Sequence, residues 1–220
     1  MITLTWSVGV AVGVLLLAFY ALTGPPTPGS RWFEQGAAAA GRIVGGEPWR
    51  AVTALTLHVD APHVAGNALA TGVLVSPIVQ GLGPGAGLGL VLLSGAVANV
   101  LAATAHDERH VGVGASSATF GAIGILAALR LLPGRGPARR SRRPWIVLAA
   151  SLLLLAMLGT SRDADVLTHA LGLLSGGAFG LVGGAVWRRP PGPAVQWALV
   201  MLAALAILGC WQLALSAVAP

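Results

Sequence analysis

Three groups of polar residues stand out in this apolar chain because their types and spacing are suited to chemistry at a carbonyl. His63 and Asn67 are four residues apart, so on a helix they share one face, and both side chains can donate hydrogen bonds. Such a pair beside a reacting carbonyl is what an oxyanion hole requires, although the same pair could tie neighbouring membrane helices together. His58, five residues earlier, reads as a support for the loop entering that helix. Gly114-Ala115-Ser116-Ser117 opens an apolar stretch. A helix start offers unpaired backbone N–H groups and a positive dipole end, which favour a serine alkoxide and the oxyanion that follows. Gly114 permits a sharp turn or a close backbone approach. The plainer reading is that Ser116 or Ser117 is an N-cap or a small packing residue. His169, with Asp165 four residues before it, can take a serine proton and return it to a leaving amine, or relay protons in a transporter.

These groups lie in or beside long apolar stretches. The chain has 220 residues, 55% of them hydrophobic and 9% charged, too apolar for an ordinary soluble domain. A bilayer span needs roughly 20 mostly apolar residues. Seven spans are expected, at about 3–22, 61–79, 85–104, 112–132, 144–159, 166–187 and 194–218, leaving little sequence for a separate soluble domain. The whole chain, 1–220, therefore reads as a single all-α polytopic membrane domain. The first span is expected to be a retained helix and not a signal peptide, because residues 1–5 carry no basic side chain and the apolar run is long.

The net charge of +6 comes from thirteen arginines and no lysine. Six of them, Arg130, Arg135, Arg139, Arg140, Arg142 and Arg143, cluster between spans four and five, and Arg188 and Arg189 follow span six. This pattern suits membrane orientation and anionic headgroups, not nucleic acid. The positive-inside rule puts both loops, and the N-terminus, in the cytoplasm. Asp107, Glu108, Asp163 and Asp165 then lie on the external side, where the three polar groups also fall. The composition fits a GC-rich coding sequence and a bacterial plasma membrane. The long connection 24–60 contains Pro, Gly, Trp32, Phe33 and Trp49. It is expected to form short helical pieces at the outer headgroup level, with a plain solvated loop as the alternative.

Packing ties the groups together. Gly172, Gly176, Gly180 and Gly184 form a row spaced by four in span six, and such a row allows very close approach of another helix. Span four offers Ser117, Gly121, Gly124 and Ala128 for that contact, which would bring His169 near Ser116. Cys210, the only cysteine, excludes an intramolecular disulfide and reads as a small buried packing residue.

The order and spacing of these motifs resemble the rhomboid proteases. The resemblance rests on Trp49-Arg50, on His58, His63 and Asn67, on Ser94-Gly95 and Asn99, and on Gly-Ala-Ser-Ser-Ala-Thr-Phe-Gly from Gly114 to Gly121. It also rests on Asp165 through His169, Gly172 and Gly176, similar to the family's Ala-His-x-x-Gly-x-x-x-Gly signature, and it runs from about Trp49 to Gly180. It implies a six-helix core, about 1–190, plus one extra C-terminal span, about 194–218. It also implies a Ser116–His169 dyad without a third acidic member, which leaves Asp165 to cap span six. His63, Asn67 and the Ser116 backbone N–H map onto the oxyanion hole. Phe120 maps onto the aromatic residue packed on the catalytic histidine, and Trp49-Arg50 onto a structural element of the first external loop. Ser117 stands where the family usually has Gly, Thr168 stands for Ala, and the family's Glu between spans two and three has no counterpart in residues 77–83.

The expected activity is hydrolysis of peptide bonds in or near the transmembrane segments of other membrane proteins, with the site open to the external side. A catalytically silent, client-binding relative and a small proton-coupled transporter are the rival readings. No cofactor or metal is needed for this chemistry. His106 and His110 have a spacing that permits metal binding, but a solvated loop is the expected setting for them.

Overall fold

The computed structural model describes residues 2–132 and 165–217 of the chain. The expected fifth span, the arginines from Arg135 to Arg143 and Asp163 lie outside the described residues. Each of the other six expected spans is a helix: α1 (Ile2–Thr23), α5 (Ala61–Leu82), α6 (Pro84–Ala105), α7 (Ser116–Leu131), α8 (Val166–Val186) and α9 (Pro193–Ser216). Among the described residues, α5, α6, α8 and α9 are long and apolar enough to cross a membrane, and the apolar part of α1 and all of α7 are shorter. Leu69, Leu174, Leu202 and Leu208 are each more than 60% exposed, a surface suited to lipid and not to water.

Local signals set the helix ends. Pro62 lies in the first turn of α5, and the Asp60 carboxylate accepts from the His63 N–H at 2.7 Å, satisfying a donor the helix start leaves open. Asp165 caps α8 in the same way, accepting from the Thr168 N–H at 2.9 Å. Gly83, at φ +85°, makes the turn from α5 into α6, and Pro84 starts the new helix. Span four begins four residues later than expected, because residues 111–112 form a strand and Gly114 turns at φ +125° just before Ser116.

The connection between α1 and α5 folds into α2 (Arg31–Gly36), α3 (Ala40–Val44), α4 (Arg50–Thr53) and one 3-10 turn, Ala54–Thr56. Between these helical pieces β1 (Ala38–Ala39) pairs antiparallel with β2 (Val111–Gly112) in the register Ala38 to Gly112. Arg50 is fully buried. It donates to the Glu47 carboxylate and to the Glu34 and Ala37 carbonyls, so one side chain gathers three turns of the loop. Trp32 packs edge-on against Phe19 and Trp211.

The core is built from Leu74, Val75, Ile78, Val79 and Leu82 of α5 against Ala118, Ala122, Ile125 and Leu129 of α7. Small residues set how closely the helices approach. A Cβ on Gly176 would lie 2.0 Å from the Gly121 carbonyl oxygen, and one on Gly172 would lie 2.3 Å from that of Ser117. The α7–α8 contact is therefore backbone against backbone along the expected glycine row. The last helix, α9, is held by a feature the sequence reading did not single out. Buried Gln196 accepts from the Gly85 and Ala86 N–H groups at 2.7 and 3.1 Å, and donates to the Leu82 carbonyl at 2.9 Å. Its side chain thus closes the α5–α6 turn. Farther along, the Trp211 indole N–H donates to Thr56 Oγ1 at 3.1 Å. Cys210 is partly exposed and not buried as expected, since little of α9 packs on the rest of the described chain.

Candidate active site

Ser116 is the first residue of α7, immediately after the positive-φ turn at Gly114. Its Oγ lies 2.9 Å from His169 Nε2, with His169 in the first turns of α8. The two helices can bring these side chains together because no side chain intervenes at Gly172 or Gly176. The His169 ring stacks on Phe120, with centroids 4.5 Å apart and planes at 21°, which fixes the imidazole face toward α7. His169 Nδ1 is buried without a hydrogen-bond partner among the described residues. The Asp165 carboxylate points elsewhere, to Thr168, His106 and His110.

Ser117 is buried, and its hydroxyl has no partner among the described residues; His169 meets Ser116 and not its neighbour. The Ser117 backbone lies against Gly172, so the hydroxyl present here in place of glycine is accommodated where the two helix backbones pack closely. Thr119, one turn on, hydrogen-bonds to Thr71 of α5 at 2.8 Å. This link between α5 and α7 was not anticipated from sequence.

His58 is fully buried. Its Nε2 accepts from the Ala115 N–H at 3.4 Å, and its ring meets the His63 ring edge-on at 5.1 Å. Burial, with the nearby His63 charge second, lowers its pKa to about 4. His58 is therefore neutral at pH 7, as the acceptor role requires. It steadies the residue immediately before Ser116.

His63 sits against Gly114: a Cβ there would lie 2.8 Å from both His63 Nε2 and Cε1, and 3.8 Å from Ser116 Oγ. Glycine at 114 thus leaves the space between the His63 ring and the serine open. Asn67 is fully buried one turn below, and its Nδ2 donates to the His63 carbonyl at 3.0 Å. That uses one of its two amide hydrogens. A cavity of about 50 Å³, room for a few water molecules, is lined by Gly114, Ser116, Ser117, His169, Asp165 and His110, among others. His63 and Asn67 are not among its described lining residues. The motif in α6 has structural partners: a Cβ on Gly95 would lie 2.7 Å from Ala118 Cβ, Ser94 lies against Gly121, and Asn99 Nδ2 donates to the Ala51 carbonyl at 2.9 Å.

The fold and the site together define a helical membrane protein in which a serine at a helix start meets a histidine across a glycine-lined helix pair. The Rhomboid domain model matches residues 45–186, well over half of the chain, and the protein belongs to the rhomboid family. The chain is also similar to the Bacillus subtilis (strain 168) protein named "Putative rhomboid protease YdcA", at 25% identity over 134 residues. The match covers 61% of this chain and 66% of that relative's length. No solved structure matches the chain significantly.

Proposed function

We propose that this protein is an intramembrane serine endopeptidase in which Ser116 is the nucleophile and His169 the general base. The observation that carries the reading is the 2.9 Å contact between Ser116 Oγ and His169 Nε2. His169 accepts the hydroxyl proton as Ser116 attacks the scissile carbonyl, then returns it to the leaving amine. Water, activated by the same imidazole, releases the acyl group from Ser116. The Ser116 backbone N–H, the second Asn67 amide hydrogen and the His63 ring would donate to the oxyanion. Phe120 orients the base, and no acidic third member is required.

Depth supports a reaction near the outer leaflet. The 16 residues of α7 span about 24 Å, against a hydrocarbon core of roughly 30 Å. With its arginine-rich end at the cytoplasmic interface, α7 would begin below the external surface, and Ser116 with it. Substrates would be transmembrane proteins whose helix unwinds locally, because an intact helix keeps its carbonyls hydrogen-bonded.

A fluorophosphonate probe tests the proposal against the client-binding alternative. The purified protein should become labelled at Ser116, and Ser116→Ala or His169→Ala should abolish labelling. Labelling that persists in Ser116→Ala would overturn the assignment, and an unlabelled wild-type protein would favour the silent relative.

A further inference from the structure

The loop between α6 and α7 was expected to be solvated, yet two of its side chains converge on the start of α8. His106 Nε2 lies 3.0 Å from Asp165 Oδ1, and His110 Nε2 lies 2.8 Å from Asp165 Oδ2. The two imidazoles stack almost parallel, with centroids 3.8 Å apart and planes at 11°. Both therefore present the same nitrogen to one carboxylate. The three ligand-bearing atoms lie within 4.8 Å of one another, and all three residues are only partly exposed.

We propose that His106, His110 and Asp165 form a site for a divalent transition-metal cation of the zinc class. Two neutral imidazoles and one carboxylate are borderline donors that suit such ions and leave a fourth position for water. Bonds of about 2.0–2.1 Å in tetrahedral geometry need ligand atoms roughly 3.3 Å apart; the three ligand atoms lie within 4.8 Å of one another, so side-chain rotation has to bring them onto one ion. The carboxylate is already oriented: Thr168 donates to it through its backbone N–H at 2.9 Å and through its hydroxyl. Hydrogen bonds of this kind fix a ligand before the ion arrives.

The position gives binding a structural consequence. The His110 carbonyl accepts from the Ala40 N–H, and the Asp165 carbonyl accepts from the His169 N–H at 3.1 Å. An ion would therefore clip the β1–β2 region to the helix turn that carries His169, at the edge of the cavity lined by His110 and Asp165. The site stands on its own ligands and does not depend on the proposed proteolysis.

Titrating the tag-free, detergent-solubilised protein with Co²⁺ tests the site. Tetrahedral visible bands should develop with saturation at one ion per chain, be displaced by Zn²⁺, and accompany a rise in Tm. Replacing both histidines (His106→Gln with His110→Gln) should weaken binding by about tenfold or more and remove the Tm rise. Asp165→Asn, which keeps an oxygen to cap α8, gives the same reading if the double variant fails to fold. Absence of the bands in the wild type, or an unchanged titration in either variant, would overturn the proposal.

Discussion

At the scale of residues, the proposed chemistry depends on one hydrogen bond, from Ser116 to His169, and on donors beside it. Ser116→Ala should abolish turnover. Asn67→Ala should leave the dyad intact and lower turnover by about a hundredfold, the usual effect of losing one oxyanion donor, with the loss in kcat and not in KM. An equal loss through KM alone would count against Asn67 as a transition-state donor. His58 makes a separate prediction about pH. Its folded pKa is about 4, below the ordinary 6.5, so between those values the unfolded chain holds more protons than the folded one. Stability should therefore fall as pH drops from 6.5 toward 4, by up to about 3 kcal/mol from this group. Thermal unfolding in detergent at pH 7 and pH 4.5 checks this. His58→Gln, which can still accept from the Ala115 N–H, should lose less on acidification, whereas parallel losses would remove His58 as the cause. The residues that carry these expectations were legible because polar side chains in spans are few. The reach of Asp165 to His106 and His110 was not, since partners 55 to 59 residues apart leave no periodic trace in sequence.

At the scale of elements, α7 and α8 bring the site together, and their approach is set by glycines whose faces differ. A Cβ on Gly176 would lie 2.0 Å from the Gly121 carbonyl oxygen, while one on adjacent Gly177 meets nothing within 4 Å among the described residues. Gly176→Ala should cost about 1–3 kcal/mol through forced separation of the helices and reduce activity as His169 moves away from Ser116. Gly177→Ala should be neutral or stabilising by up to about 1 kcal/mol. Denaturation of the two variants side by side decides the matter, and equal behaviour would refute the close-packing account. The spacing of Gly172, Gly176, Gly180 and Gly184 made this face readable in advance. The anchoring of α9 was hidden, because Gln196 and Trp211 act through partners more than a hundred residues away. Gln196→Leu should strand the Gly85 and Ala86 N–H groups and the Leu82 carbonyl, at about 2 kcal/mol or more. A Tm unchanged from wild type would contradict that role.

For the molecule as a whole, an apolar helical bundle holds a small cavity where Ser116, His169 and the loop before α7 meet. Hydropathy alone located the six long helices, because bilayer thickness sets their length. It placed the start of α7 too early, since β2 and the Gly114 turn obey backbone geometry and not hydropathy. The proposed orientation puts that cavity on the external side and the N-terminus in the cytoplasm. The most direct measurement is cleavage of a generic single-span substrate by the detergent-solubilised protein, with Ser116→Ala run in parallel. The account predicts a cut in or next to the substrate's membrane segment, made by the wild type and absent with Ser116→Ala. Equal cleavage by both proteins would contradict it.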